Sequence, residues 1–326
     1  MPGSDDPLVM APAAARPLAE QVAQRLGVPL APCEERWFED GELKIRPLTG
    51  VRGRDVYLFG ALYGEPGQSV HDRLCQMLFL IGAVRDASAR TVSLIAPYLP
   101  YARKDRRTKP RDPVTSRYLA QLLEAVGVDR VVALEVHNPA AFDNAFRCRA
   151  EHVETGLLLA RALRPHIGDR PLTVVSPDPG GAKRADRLRA AFAGLLGAEP
   201  PLAFVEKHRS GGVVSGELLV GEVAGRVAVI VDDLISSGET LLRAARACRA
   251  QGASAVLAAV THGLFAPGAE ALLAAPELDR LIVTDSVPAR LPPPSPRLQV
   301  VPLAPLLAEV VAALHLGGSL TELLEV

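Results

Sequence analysis

Asp232 and Asp233 stand side by side directly after an apolar run, Val227–Val231, and Ser236, Ser237, Gly238 and Thr240 follow closely. A continuous apolar run without alternation predicts a strand buried on both faces of a parallel sheet. Ligands of open α/β sheets sit just beyond the carboxyl ends of such strands. The small polar turn offers backbone N–H groups, hydroxyls and, from Glu239 onward, a helix N-terminus, which together attract a phosphate. Adjacent carboxylates beside a phosphate cradle would repel it unless they serve another part of the ligand. Sugar hydroxyls, with or without Mg²⁺, resolve that conflict, so these residues fit a ribose 5-phosphate moiety. The plainer alternative is a strand, turn and helix with Asp and Ser acting only as caps.

Further clusters have related chemistry. Tyr98–Arg111 packs Arg103, Lys104, Arg106, Arg107, Lys109 and Arg111 around Asp105. Such density in a chain of formal net charge −1 implies a local polyanion site, or else a solvated basic loop. In Val131–Asn138 an apolar run leads to Glu135 and His137, placed as Asp232 is, and His137 suits a metal or a phosphate. In Val174–Arg184 a run ends before Asp178, Gly180 and Gly181. Glycines let backbone approach a phosphate, and the acid could hold Mg²⁺; the alternative is an ordinary Pro-Gly turn before a helix. In Phe204–Ser210, Lys207 and Arg209 alternate along an extended segment and share one face. They could clamp a transferring phosphoryl group, with Gly211 and Gly212 forming a loop able to close, or simply protect an edge strand.

The elements that must position these residues alternate between strand-like and helical patterns, the signature of an α/β fold with parallel sheets. Strands are predicted at Asp55–Phe59, Val92–Ala96, Val131–Val136, Leu172–Ser176, Val227–Val231, Ala255–Val260 and Leu281–Thr284. Helices are predicted at Val70–Arg85, Ser116–Val126, Lys183–Leu196 and Glu239–Ala250. A weak repeat relates RGRDVYLFG from Arg52 to AGRVAVIVDD from Ala224. The halves therefore read as duplicated domains, 1–150 and 151–326, with the boundary near 148–156. Only the second copy keeps the Asp-Asp and Ser-Ser-Gly residues; the first has GALYGEPGQS there.

Length and composition allow this: 326 residues, 48% hydrophobic and only 4% aromatic, suffice for two aliphatic cores. The near-zero net charge argues against a general nucleic-acid binder. No apolar stretch is long enough to span a bilayer, and the acidic start MPGSDDPLVM lacks the basic region of a secretory signal. Cys33, Cys75, Cys148 and Cys248 show no metal or disulfide spacing, which suits a reducing cytoplasm.

Segment 227–241 resembles the ribose-phosphate motif of the type I phosphoribosyltransferase fold. From about Leu8 to the C-terminus, FEDGE at Phe38–Glu42, PYARKDR at Pro100–Arg106, EVH at Glu135–His137, SPDPGG at Ser176–Gly181 and EKHR at Glu206–Arg209 follow in the order seen in the ribose-phosphate diphosphokinase family. The resemblance implies two tandem phosphoribosyltransferase-like domains and transfer of a diphosphoryl group from ATP to ribose 5-phosphate. It places Phe38, Asp40, Gly41 and Glu42 at the adenine end of ATP, reaching in from a neighbouring subunit. Arg103, Lys104, Asp105 and His137 fall to the nucleotide, and His137 and Asp178 to Mg²⁺. Lys207 and Arg209 become catalytic, Asp232 and Asp233 take ribose hydroxyls, and Ser236, Ser237, Gly238, Glu239 and Thr240 cradle the 5-phosphate. A cytoplasmic homo-oligomer, dimer or hexamer, is implied, with no nucleic acid or membrane partner. The chain departs from the family pattern at Lys104 (usually Gln), at Glu135 (usually Asp) and in the loop Ser236–Glu239 (in many members Asp-Thr-Gly-Gly or Asp-Thr-Ala-Gly). A phosphoribosyltransferase, or a silent paralogue regulating an active synthase, are the competing readings.

Overall fold

The computed structural model describes residues 6–210, 213–288 and 295–324, without the side chains of 207–217 and 324. It divides into two compact units, Met1–Val153 with Leu303–Leu324, and Glu154–Pro302.

The first unit runs β1 (Leu8–Met10), α1 (Arg16–Leu26), β2 (Cys33–Trp37), β3 (Leu43–Pro47), β4 (Asp55–Phe59), α2 (Val70–Asp86), β5 (Thr91–Ala96), α3 (Thr115–Ala125), β6 (Arg130–Leu134), α4 (Pro139–Ala145) and β7 (Arg149–Val153). Among the described residues its main sheet is parallel in the order β1-β4-β5-β6-β7, and β2 and β3 pair separately as an antiparallel hairpin. Helix α2 starts at a capping box: Asp72 N–H donates to Ser69 Oγ at 3.2 Å, and Ser69 N–H to Asp72 Oδ2 at 2.7 Å.

The second unit runs α5 (Gly156–Ile167), β8 (Leu172–Ser176), α6 (Ala182–Leu196), β9 (Leu202–Ser210), β10 (Val213–Val220), β11 (Val227–Ile235), α7 (Glu239–Ala250), β12 (Ala255–Gly263), α8 (Glu270–Ala274), β13 (Arg280–Thr284) and β14 (Leu298–Val301). Its strands lie in the order β10-β9-β8-β11-β12-β13-β14, parallel except for β10 against β9. Strand β11 shows why an unbroken apolar run was needed. Val227, Val229 and Val231 enter one core cluster, while Ala228, Ile230 and Ile235 enter another. Both faces of this strand are covered, so neither could be polar.

The repeat corresponds to topology. β4 lies beside β1 as β11 lies beside β8, and β5 and β12 flank them on the other side. The hairpins β2–β3 and β9–β10 also fall at the same point in each order of elements. The division at 151–326 needs correction, however, because α9 (Ala304–Leu316) and α10 (Leu320–Leu324) belong to the first unit. Leu307, Val310 and Val311 of α9 are fully buried and α9 packs on α1. His315 meets Asp55 at 3.6 Å and the Tyr57 ring edge-on at 6.1 Å between centroids. A helix that is apolar nearly all round goes where it can be covered, whatever its place in the chain.

Gly221, just after β10, has φ +122°, and a Cβ there would lie 2.6 Å from Ala203 Cβ and 2.8 Å from Ala203 Cα. Neither atom can move without moving β9. We expect Gly221→Ala to cost about 2–4 kcal/mol of stability, from overpacking and backbone strain combined. Urea denaturation should show a lower midpoint at unchanged slope.

Candidate active site

Strands β8 and β11 are neighbours whose outer partners, β9 and β12, lie on opposite sides. Their carboxyl ends therefore form a topological switch point, the place where open α/β sheets bind their ligands. From β8 the chain enters a tight loop. Ser176 Oγ donates to Asp178 O at 2.6 Å, and Asp178 Oδ1 accepts from Gly181 N–H at 2.9 Å. A Cβ on Gly181 would stand 2.8 Å from Ser176 Oγ, so this turn needs glycine.

Helix α6 follows at once, and Arg184 in its first turn reaches across to β11. Its Nη1 donates to Asp232 Oδ1 at 3.0 Å and its Nη2 to Asp233 Oδ1 at 3.1 Å. Asp233 N–H also donates to Asp232 Oδ1 at 2.9 Å. The side chains of Arg184, Asp232 and Asp233 keep only 10%, 18% and 5% of their surface exposed. Burial first, then the Asp233 carboxylate, raises the Asp232 pKa above the usual carboxylate range, with Arg184 opposing.

The Asp pair lies inside β11, a correction to the expected strand end at Val231. Beyond Ile230 the ladder to β8 has ended, but Asp232, Leu234 and Ile235 still pair with Val260, His262 and Gly263 of β12. The turn after Ile235 is pinned by Ala266 N–H donating to Ser236 O at 3.0 Å. Gly238 then adopts φ +82° as the N-cap of α7, with a would-be Cβ 3.2 Å from Leu272 Cβ. Ser237 is exposed, Ser236 and Thr240 half-buried. Glu239 is exposed in the first turn of α7, where a carboxylate favours the helix dipole and can point to solvent. The arrangement presents hydroxyl acceptors on β11 next to a helix N-terminus suited to a phosphate.

Behind this edge lies a buried polar layer. Thr155 and Thr261 share a hydroxyl contact of 2.7 Å, and Thr284 Oγ1 and Ser286 Oγ donate to Thr261 O at 2.7 and 3.0 Å. His262 Nδ1 lies 2.9 Å from Ser286 Oγ. Sequence reasoning missed this layer and gave Arg184 no role. The one available signal was a cation a single turn beyond the Asp178 loop.

In the first unit the basic segment follows β5. Lys104 does not stand apart as an extra cation: its Nζ donates to Asp112 Oδ2 at 2.5 Å and Thr108 Oγ1 at 3.0 Å. Asp112 also accepts from Thr108 N–H and Lys109 N–H at 3.0 and 2.9 Å. Lys104 first, then Thr108, holds the Asp112 carboxyl well below its usual range. Arg103, Arg106, Arg107, Lys109 and Arg111 are exposed around this clasp. Asp105 Oδ2 accepts from Asn138 Nδ2 at 2.6 Å, and Asn138 caps α4. The structure thus joins the basic segment to the His137 segment, and His137 itself is exposed.

Glu135 does not share the geometry of Asp232. Strand β6 ends at Leu134, not Val136, and Glu135 turns out of it at φ +38°, buried, its N–H donating to Val153 O at 3.0 Å. Phe38, Asp40, Gly41 and Glu42 form the tip between β2 and β3. Phe38 N–H donates to Glu42 O at 2.8 Å, Glu42 N–H to Asp40 Oδ1 at 3.0 Å, and Gly41 has φ +90°. Trp37 and Phe38 are about 42% and 40% exposed, with the Arg36 guanidinium 4.9 Å from the Phe38 ring centre.

Lys207 and Arg209 lie in β9 opposite Glu217 and Val214 of β10, but their side chains, and Gly211 and Gly212, are outside the described residues. Among the described residues no group of three or more His, Cys, Asp or Glu side chains gathers as a metal cluster. No helix among them is long and apolar enough to cross a membrane. Cys248 is buried, and burial pushes its thiol up to about 12, which leaves it inert at neutral pH.

The N-terminal domain of ribose phosphate pyrophosphokinase matches residues 8–127, and the phosphoribosyl synthetase-associated domain matches residues 215–325. The ribose-phosphate pyrophosphokinase of Parasynechococcus marenigrum is 36% identical over 308 residues, covering 94% of this chain and 90% of the relative. That of Mycobacterium leprae is 34% identical over 311 residues, covering 94% and 92%. The crystal structure of phosphoribosylpyrophosphate synthetase from Mycobacterium smegmatis superposes with a TM-score of 0.86 at 32% identity, covering 96% of this chain and 100% of that one. With the Asp pair, the phosphate-type loop and the duplicated parallel sheets in place, these likenesses show that the chain belongs to the ribose-phosphate pyrophosphokinase family of enzymes.

Proposed function

We propose that this chain transfers the diphosphoryl group of ATP to the anomeric hydroxyl of ribose 5-phosphate, giving phosphoribosyl diphosphate and AMP. The observation that carries this reading is the Arg184-held pair Asp232–Asp233 next to the Ser236–Thr240 turn at a sheet switch point. The 5-phosphate binds the turn and the start of α7, while the two carboxylates take ribose hydroxyls. The anomeric oxygen attacks the β-phosphorus in line, the bond from that phosphorus to the α,β-bridging oxygen breaks, and AMP leaves. Lys207 and Arg209 stabilise charge on the transferring group, so positioning and electrostatics supply most of the acceleration.

The nucleotide falls to the first unit's basic segment, with Arg103, Lys104, Asp105 and His137. The exposed tip Phe38–Glu42 serves the adenine of a neighbouring copy in a cytoplasmic homo-oligomer. Mg²⁺ takes few protein ligands and keeps water and substrate phosphates, so the hard carboxylate of half-buried Asp178 suits it, while exposed His137 suits a metal or a phosphate on the first unit. Bound there, the ion would neutralise charge on the nucleotide's phosphates.

Incubation with ATP, ribose 5-phosphate and Mg²⁺ should form AMP only when the sugar phosphate is present. Release of diphosphate that depends instead on a purine or pyrimidine base would identify a phosphoribosyltransferase and overturn the reading. The Asp112 clasp gives a second check. Asp112→Ala should loosen residues 104–112 and raise the KM for ATP roughly threefold to tenfold by misplacing the arginines, with the sugar KM unchanged. Steady-state kinetics with each substrate varied in turn would measure this.

A further inference from the structure

We infer that Arg184 is the positioning residue of the pentose site, setting both carboxylates for the sugar hydroxyls; this rests on the reading of that site given above. Successive side chains on a strand point to opposite faces, so Asp232 and Asp233 would by default diverge. One planar, forked cation brings them to a common task, with Nη1 at 3.0 Å from Asp232 Oδ1 and Nη2 at 3.1 Å from Asp233 Oδ1. A lysine offers a point charge and cannot span both in this way. Arg184 engages Oδ1 of each carboxylate, whereas an ionised carboxylate has two oxygens and about four lone-pair sites. Holding Oδ1 of each carboxylate fixes the direction in which its second oxygen is presented.

The bridge is also tied to the Asp178 loop. Arg184 lies in the first turn of α6, directly after that loop, and a Cβ on Gly181 would sit 2.8 Å from Ser176 Oγ and 3.7 Å from Arg184 Nη1. The loop that offers Asp178 and the strand that offers the Asp pair thus share one side chain.

The test uses the full chain with Mg²⁺ and a non-hydrolysable ATP analogue, and titrates ribose 5-phosphate by calorimetry. Arg184→Met should weaken sugar-phosphate binding about tenfold to a hundredfold, as loss of an orienting partner does. The KM for ATP should change less than about threefold, since only the pentose end is disturbed. Arg184→Lys should fall between the wild type and Arg184→Met. Thermal melting controls for folding, and if Arg184→Met does not fold, Arg184→Lys carries the test because it keeps the charge and loses only the fork. Sugar affinity equal to wild type in the folded variants, or equal losses for sugar and nucleotide, would overturn the inference while leaving the proposed reaction intact. A wild-type protein that fails to bind ribose 5-phosphate would instead sink the reaction and the inference together.

Discussion

Asp233→Asn is expected to cripple the enzyme while leaving the protein as stable as wild type, or more so. The two effects separate because the carboxylate pair suits a ligand and not the fold. Asp232 and Asp233 share the Arg184 guanidinium and keep only 18% and 5% side-chain exposure, so two carboxyl groups sit close together in a poorly hydrated place. The Asp232 pKa is raised by burial and then by Asp233. A carboxylate with a raised folded-state pKa gives stability that is complete below its unfolded value and is lost as pH rises through the folded value. At neutral pH the pair is therefore a net liability, and an isosteric amide at 233 removes it. Chemical denaturation near pH 7.5 should show an unchanged or higher midpoint, and the gain should shrink as the pH is lowered. Activity should move the other way. A charge-assisted hydrogen bond to a sugar hydroxyl is worth about 2–3 kcal/mol, so kcat/KM for ribose 5-phosphate should fall about 30- to 150-fold. A variant that lost stability in proportion to activity would show that the pair holds the fold together.

Much of the frame was legible because burial leaves a plain mark on composition. Strand Leu172–Ser176, helix Glu239–Ala250 and the core of β11 follow from apolar runs covered on both faces or from a glycine-initiated helix. What stayed hidden has physical causes. Two acids are poor strand formers, so the run to Ile235 could not be read. It forms because β12 continues to pair on one side, at Leu234 with His262 and Ile235 with Gly263. Strand β2 is Cys-Glu-Glu-Arg-Trp, too polar for an apolar template, and β1 has only three residues. Helix α9 is plainly apolar, but its sequence does not show which unit it covers, since that choice depends on a distant α1. The role of Arg184 was invisible because its nearer partner stands 48 positions away. The departure Lys104 also looked like added charge beside a nucleotide until Asp112 was seen to hold it.

Duplication followed by divergence accounts for the distribution of chemistry. At the switch point of the first unit, β4 runs out into Leu62 and Tyr63, both buried, where the second unit has its acids and serines. Nearby, Gln76 donates to Glu35 at 2.7 Å, and Arg73, itself buried, pairs with Glu65. Buried apolar and paired side chains thus stand after β4 in place of the acids and serines that follow in the second unit. The first unit's exposed cations sit one strand further along, after β5, and its capped His137 segment one further still, after β6. The same frame therefore presents two different sets of polar side chains without a change of topology.

Lys207→Ala is expected to lower kcat about 100- to 1,000-fold, the usual consequence of removing one donor that stabilises charge in the transition state. Lys207 lies in β9, the strand flanking β8 on the side away from β11, and pairs across the hairpin with Glu217. It belongs to the hairpin and not to the cradle proposed for the sugar on β11 and α7, so ribose 5-phosphate should bind the variant nearly as tightly as the wild type. The expected signature is a large fall in kcat with a sugar dissociation constant changed by less than about threefold, measured with Mg²⁺ and a non-hydrolysable ATP analogue present. Arg209 stands two positions further along the sequence, so the double variant should fall short of the product of the single losses if both act on one developing charge. Equal losses in turnover and in sugar affinity would place Lys207 in ground-state binding and refute its assignment to the transferring group.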